Sequence, residues 1–260
     1  MISGDGGVLG AFSLSGKVAL VTGASRGLGQ GMALALAQAG ADVAGVGTGA
    51  DSPETAALIR GTGRRYLHIS ADLSSISPIP DILARTKATL GRVDILVNNA
   101  GIIRRNDSVD FTEEDWDAVI NVNLKSVFFL SQAVAREFIS LGTGGKIINI
   151  ASLLSFQGGI RIPSYTSAKS GIRGLTMLLS NEWASKGIQV NGIAPGYMVT
   201  DNTEALRADT ARYNEILGRI PAGRWGNPED MAGAVVFLAS SASNYVNGQI
   251  LAVDGGWLGR

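Results

Sequence analysis

Apolar residues recur along this chain in two alternating patterns. Short apolar runs at 18–22, 42–46, 65–69, 95–97, 146–150, 189–193 and 249–253 read as strands. Longer stretches at 29–39, 79–90, 114–140, 164–185 and 228–240 carry their apolar residues at helical spacing. The run Lys17-Val18-Ala19-Leu20-Val21 has no polar face after its first residue, as expected of a strand covered on both sides. Strand–helix alternation predicts an α/β fold with a parallel seven-stranded sheet, right-handed crossovers and helices on both faces. Thr112-x-x-Asp115 and Asn227-Pro228-Glu229 supply helix starts. The stretch 196–224 breaks the alternation just beyond a strand's carboxyl end, where ligands bind in such folds, and is expected to be a mobile substrate lid. No linker, repeat or low-complexity segment divides the chain. One domain, 14–260, is expected behind a flexible amino-terminal extension, 1–13.

Composition narrows the chemistry. The 260 residues are 45% hydrophobic and 17% charged, enough for one large core. A formal net charge of zero argues against nucleic acid or an acidic membrane as partner. The absence of cysteine excludes disulfides, thiol nucleophiles and cysteine-bound zinc. The lone histidine, His68, falls in the third strand, where a structural role is expected, so no metal site is expected. Residues 1–10 lack the features of a signal peptide, and no segment reads as long and apolar enough to cross a membrane. The expected location is the cytoplasm.

Two motifs carry candidate chemistry. Thr22-Gly23-Ala24-Ser25-Arg26-Gly27-Leu28-Gly29 lies between the first strand and an alanine-rich helix. Strand, glycine turn and helix amino terminus together form an anion site, because unpaired N–H groups and the helix dipole both favour negative charge. A glycine-rich turn with no ligand would share the pattern. The second motif is Tyr165-Thr166-Ser167-Ala168-Lys169, preceded by Ser152 at the end of the fifth strand. Residues four apart share a helix face. An ammonium beside a phenol favours the phenolate, bringing a group of pKa about 10 toward use as an acid or base. Ser152 can bond the same substrate oxygen. On its own the spacing also fits a surface tyrosine beside a solvated lysine.

With Asn98-Asn99-Ala100-Gly101 after the fourth strand, Asn123 in Asn121-Val122-Asn123-Leu124, and Pro195-Gly196 after the sixth, the chain resembles the short-chain dehydrogenase/reductase family from about Leu14 to its end. The resemblance implies a Rossmann fold and an NAD(P)-dependent alcohol/ketone oxidoreductase. It implies Tyr165 as the acid/base, Lys169 as its partner and a ribose ligand, Ser152 as holder of the substrate oxygen, and Asn123 as the support of a water linked to Lys169. Cofactor contacts implied by position are Gly23, Ser25, Arg26, Gly27, Leu28, Gly29, Asp72, Leu73, Asn98, Asn99, Ala100, Gly101, Tyr165, Lys169, Pro195, Gly196, Met198 and Thr200. The end of the second strand, Val46-Gly47-Thr48-Gly49, offers neither an acid for a ribose hydroxyl nor a base for a 2′-phosphate. NAD is the expected cofactor, with NADP possible.

A narrower resemblance concerns the substrate. Residues 102–105, 155–165, 194–198, 219–226 and 253–257 resemble dehydrogenases of deoxy sugar acids, of the 2-dehydro-3-deoxy-D-gluconate or 2-deoxy-D-gluconate type. Arg104, Arg105 and Arg161 then offer planar forks for a carboxylate, and Gln157 a bond to sugar hydroxyls. A 3-oxoacyl-thioester reductase, another sugar dehydrogenase and an inactive nucleotide-binding regulator remain alternatives on the same scaffold. The family resemblance also implies a homotetramer.

Overall fold

The computed structural model describes residues 7–260. All seven expected strands form: β1 (Val18–Thr22), β2 (Asp42–Gly47), β3 (Tyr66–Ser70), β4 (Ile95–Asn98), β5 (Gly145–Ile150), β6 (Ile188–Pro195) and β7 (Ile250–Val253). They pair in parallel in the order β3-β2-β1-β4-β5-β6-β7. The helices are α1 (Gly7–Gly10), α2 (Gly27–Gln38), α3 (Pro53–Gly61), α4 (Ile79–Leu90), α5 (Glu113–Ile120), α6 (Ser126–Leu141), α7 (Pro163–Trp183), α8 (Glu204–Ala208), α9 (Thr210–Arg219) and α10 (Ala232–Ala239). The result is the expected Rossmann-type doubly wound sheet.

The two-residue period of the strands sorts the core into two layers. Ala19, Val21, Ile95 and Val97 face α2 and α10, packing with Met32, Leu36, Val235 and Leu238. Leu20, Leu96, Ile147 and Val190 face the other way, with Ile82 of α4, Phe138 of α6 and Leu179 of α7. Gly145 opens β5 without a side chain, and a Cβ there would run into the Phe138 ring. Truncating Phe138 to Ala would leave a cavity costing about 3–5 kcal/mol.

Four differences from expectation have physical reasons. Helix α3 was not expected. It buries only Thr55 and Ile59, too little for a clear apolar period. The expected helix 114–140 is continuous from Glu113 to Leu141 but contains a π-helical segment at Asn121–Lys125. That 29-residue helix, with a mean hydropathy of 1.3 in its most apolar window, is long and apolar enough to span a membrane, contrary to the sequence reading. Half of that window is buried in the fold, so one apolar face serves the core. The expected helix 228–240 divides into a 3₁₀ turn, Pro228–Met231, and α10. Asn227 stands at the expected N-cap position without a side-chain cap bond, and its N–H donates to Asp230 Oδ2 at 2.7 Å. Thr112 caps α5, its Oγ1 accepting from Asp115 N–H at 3.2 Å.

Of the expected extension 1–13, residues 1–6 lie outside the described residues. Beyond them α1 is followed by Ala11, whose carbonyl accepts from Ala242 N–H and Ser241 Oγ.

Candidate active site

The strand order reverses between β1 and β4, which opens a crevice at the carboxyl edge of the sheet. The glycine turn leaves β1 on one side and Asn98–Gly101 leaves β4 on the other. Thr22 and Asn99 staple the two together. Thr22 Oγ1 accepts from the N–H groups of Asn99 at 3.0 Å and Ala100 at 2.9 Å, while Asn99 Nδ2 donates to the carbonyls of Thr22 at 2.9 Å and Gly23 at 3.2 Å. Gly29 lets α2 start against this turn, since a Cβ there would run into the Gly23 carbonyl. Gly23 and Gly27 take the left-handed backbone, at φ of 66° and 57°.

The Asn98 side chain is turned away from the crevice. Its buried amide donates to Ser131 Oγ and to Asn149 Oδ1, both at 2.9 Å, and Asn149 Nδ2 donates onward to Thr176 Oγ1 at 3.0 Å. This chain ties β4 and β5 to the helices beneath them.

The second cluster forms where β5 ends and α7 begins. Ser152 starts a 3₁₀ turn, its Oγ accepting from Leu154 N–H at 3.2 Å, and its hydroxyl also bonds the Tyr165 phenol. Tyr165 and Lys169 share one face of α7. Lys169 is buried, its Nζ donating to the Ile150 carbonyl at 2.5 Å and lying 5.7 Å from the centre of the Tyr165 ring. Burial lowers the Lys169 ammonium to about 8. Burial also raises the Tyr165 phenol, against the opposing pulls of the Ser152 bond and the Arg105 guanidinium. The electrostatics thus differ from the sequence reading. Lys169 is turned to a backbone carbonyl, and the Arg105 guanidinium is a further cation that favours the phenolate.

Asn123 sits in the π segment, fully buried. Its Oδ1 accepts from Ile102 N–H at 2.9 Å and its Nδ2 donates to Ile102 O at 3.0 Å. It thereby clamps the backbone just past Gly101. A π segment inside an α-helix recurs at functional sites, but no residue pattern in 121–125 announces one.

The three arginines separate. Arg104 pairs with Asp115 at 3.2 Å and Arg161 with Asp107 at 3.0 Å, whereas Arg105 acts on Tyr165. Arg161 is the one non-glycine with positive φ among the described residues, at 64°, and its carbonyl accepts from Asn106 N–H at 3.0 Å. Gln157 Oε1 accepts from Trp257 Nε1 at 3.3 Å.

Toward the other flank, Asp72 Oδ1 accepts from Ser74 N–H at 2.9 Å and Leu73 is buried. Pro195 and Gly196 end β6, with Gly196 N–H donating to Val253 O at 2.9 Å. Met198 bridges Gly226, and Thr200 opens the turn Asp201–Thr203. Arg26 reaches across from the glycine turn to Asp201 at 3.0 Å, with both side chains largely exposed. The stretch 196–224 carries α8 and α9 and rests on an aromatic cluster the sequence reading missed. Tyr213 stacks on Trp225 with ring centres 5.4 Å apart, and Tyr197 meets Trp257 at 4.7 Å. Aromatic residues scattered over 60 positions gave no local signal of this contact.

Comparison with known proteins follows this geometry. A family described as Enoyl-(Acyl carrier protein) reductase matches residues 23–258. A 2-dehydro-3-deoxy-D-gluconate 5-dehydrogenase of Escherichia coli K12 is 62% identical over 253 residues, 97% of this chain and all of that one. A solved structure from Agrobacterium tumefaciens, described as a 2-deoxy-D-gluconate 3-dehydrogenase with bound NADP, is 58% identical with a TM-score of 0.90, covering 96% of this chain and 99% of that one. A gluconate 5-dehydrogenase from Burkholderia cenocepacia J2315, in complex with NADP and tartrate, is 41% identical with a TM-score of 0.91, covering 96% and 98%.

Proposed function

Because this chain belongs to the short-chain dehydrogenase/reductase family, we propose that it is an NAD(P)-dependent oxidoreductase of a keto or hydroxy group on a deoxy sugar acid. The substrate is of the 2-dehydro-3-deoxy-D-gluconate or 2-deoxy-D-gluconate type. The observation that carries the reading is the convergence of Ser152, Tyr165 and Arg105 at the carboxyl edge of the sheet, with Lys169 behind them. The names of the relatives support the substrate class.

The crevice suits a dinucleotide. The stapled turns leave backbone close to open space, and the left-handed glycines and helix start of α2 favour a diphosphate. Gly23, Ser25, Arg26, Gly27, Leu28 and Gly29 would hold that part, and Asp72 and Leu73 the adenine. Asn99, Ala100, Gly101, Tyr165 and Lys169 would take the nicotinamide ribose side, and Pro195, Gly196, Met198 and Thr200 the nicotinamide end. When bound, the nicotinamide supplies the hydride acceptor or donor.

The chain's own residues do the rest. Tyr165 exchanges a proton with the substrate oxygen at its hydroxyl, and Ser152 bonds that oxygen. Lys169 supplies a buried cation beside the phenol. Asn123 is a positioning residue, acting through Ile102. Arg105 neutralises a substrate carboxylate and favours the phenolate, and Arg104, Arg161 and Gln157 stand at the pocket's rim. Residues 196–224 close over the substrate as a lid, hinged beyond the aromatic cluster.

The protein works in the cytoplasm as a homotetramer. Support for the assembly comes from half-exposed apolar residues on α6 and α7, among them Ile139, Met177 and Leu178, and from a groove of about 650 Å³ lined by Phe156, Arg173 and Met177. Light scattering at micromolar concentration tests the assembly.

Reduced-cofactor absorbance across sugar acids, their uncharged parent sugars and acyl thioesters tests the activity. Turnover favouring the sugar acids is expected. Equal turnover on the uncharged sugars, or a preference for thioesters, would overturn the substrate assignment.

A further inference from the structure

The corner of the crevice at the end of β2 is shaped by Gly47, Ser25 and His68. A Cβ added at Gly47 would stand 2.5 Å from Ser25 Oγ and 3.7 Å from His68 Cε1. Those two side chains occupy the space a longer residue would need. In folds of this kind a carboxylate at that place pairs with the ribose 2′-hydroxyl and repels a 2′-phosphate. Here any carboxylate side chain would have to displace Ser25.

His68 is held at both ring nitrogens. Nε2 lies 2.9 Å from Gly49 O, and Nδ1 lies 2.9 Å from Ser52 Oγ. Ser52 Oγ in turn lies 2.7 Å from Tyr66 OH. Chemistry fixes the direction of each bond. A carbonyl only accepts, so Nε2 carries the hydrogen and donates to Gly49. In the neutral ring Nδ1 then accepts, and it takes the Ser52 hydroxyl hydrogen. Ser52, its single hydrogen committed, accepts from Tyr66. Burial raises the Tyr66 phenol, against the Ser52 bond and the Arg60 charge, so it stays a donor. Tyr66 fits because Gly45 has no side chain, and a Cβ there would run into the Tyr66 hydroxyl.

The result is a one-way chain, Tyr66 to Ser52 to His68 to Gly49. It ties β3 to both ends of loop 48–52, which follows the Gly47 seat. Along that loop the N–H groups of Thr48, Gly49 and Ala50 have no hydrogen-bond partner among the described residues. Backbone N–H groups held in place are donors a phosphate can use.

We propose that this relay is a positioning device that holds loop 48–52 so the Gly47 seat admits the 2′-phosphate of NADP(H), and that it sets the balance between the two nicotinamide cofactors. The proposal rests on the cofactor reading above. It gives His68 a specificity role in place of the structural one expected from sequence.

The test is equilibrium binding of NADP⁺ and NAD⁺, by calorimetry, to the ligand-free protein and three variants. His68→Phe keeps a ring and deletes both bonds. Ser52→Ala breaks the middle link, and Tyr66→Phe removes only the first donor. NADP⁺ affinity should fall about tenfold in His68→Phe, the scale of one hydrogen bond to a charged group, and less in the other two. NAD⁺ affinity should stay within about twofold, well under the roughly 1.4 kcal/mol of a tenfold loss. Thermal melting of each ligand-free variant reports folding. If His68→Phe does not fold, the two milder variants decide. Equal losses for both nucleotides, the mark of a merely structural role, would overturn the proposal, as would no loss in any variant. A wild type that binds neither nucleotide would remove the cofactor reading first and the proposal with it.

Discussion

Two buried lysines sit at opposite ends of β5, and burial brings both ammonium groups to about 8. Lys146 stands near the start of the strand, and Lys169 bonds the Ile150 carbonyl at its end. About 13 Å of strand, at about 3.3 Å per residue, separates Lys146 from Ile150. The surroundings differ. Lys146 donates to Asn244 Oδ1 at 2.9 Å and Ser243 Oγ at 3.3 Å, with the like charge of Lys17 nearby. It closes the turn after α10, where its partners are a serine and an asparagine. Lys169 lies against a phenol that already bonds a serine hydroxyl and feels an arginine. A lowered lysine pKa therefore marks burial at both ends. What separates the candidate site from the cap is a second titratable group, Tyr165, beside the lysine.

The sharpest way to break that comparison is to remove one group at each end. Tyr165→Phe keeps the shape and deletes the transferable proton, so kcat should fall at least about a hundredfold, the lower end for a general acid–base. Lys146→Met should leave kcat within about twofold, far short of that acid–base loss. Steady-state rates of the two variants check both statements, and comparable losses would erase the distinction.

The next test uses pH. Both lysines titrate near 8 in the fold and near their ordinary 10.5 when unfolded. The folded state gives up these protons first, so stability rises as pH climbs from about 8 to 10.5, and below that window the burial penalty is complete. Lys146→Met should remove one lysine's share of the rise, at most on the order of 3 kcal/mol. Urea unfolding at both edges of the window measures it, and an unchanged rise would show that burial of Lys146 is not what shifts it.

Arginine pairing offers a smaller contrast within the site. Arg105→Met should cut kcat/KM for the sugar acid about tenfold, as expected for a charge-assisted bond. Arg104→Met and Arg161→Met should cost less, because Asp115 and Asp107 already hold those side chains. Equal losses in all three would show that these ion pairs open when substrate binds.

The smallest effect is expected at a perturbed acid, Asp230, whose hydrogen bonds come from neither lysine. The Arg224 fork bonds Asp230 through two 2.7 Å contacts and lowers it to about 2. Its contribution is present above the ordinary carboxylate value and is lost as pH falls toward 2. The pair is exposed, so Asp230→Asn should cost under about 1 kcal/mol by denaturant unfolding at neutral pH.

Much of this was legible before any coordinates. The valine-rich run at 18–22 became β1 at the same residues, and Lys146-Ile147-Ile148 became β5 with one residue added. Tyr165 and Lys169 share a face because a helix turns every 3.6 residues, which sequence spacing alone reveals. What stayed hidden depends on parts of the chain distant in sequence. Nothing near Lys146 says that Ser243 and Asn244 will cap it. Nothing in Arg161 announces its left-handed backbone, imposed where 106–107 and 161 meet. The Lys169–Ile150 bond was also hidden, because a backbone carbonyl leaves no mark in a residue pattern.

The π segment at Asn121–Lys125 also sets a phase. One wide turn offsets everything after it by about one residue, roughly 100° around the axis. Val119 precedes the segment and Val122 lies within it. Leu130, Val134 and Phe138 follow it and are buried in one core layer. Deleting one residue from 121–125 would give a more regular helix that turns Phe138 away from Gly145. Length in this segment is therefore constrained by a core layer two to five turns away, quite apart from Asn123.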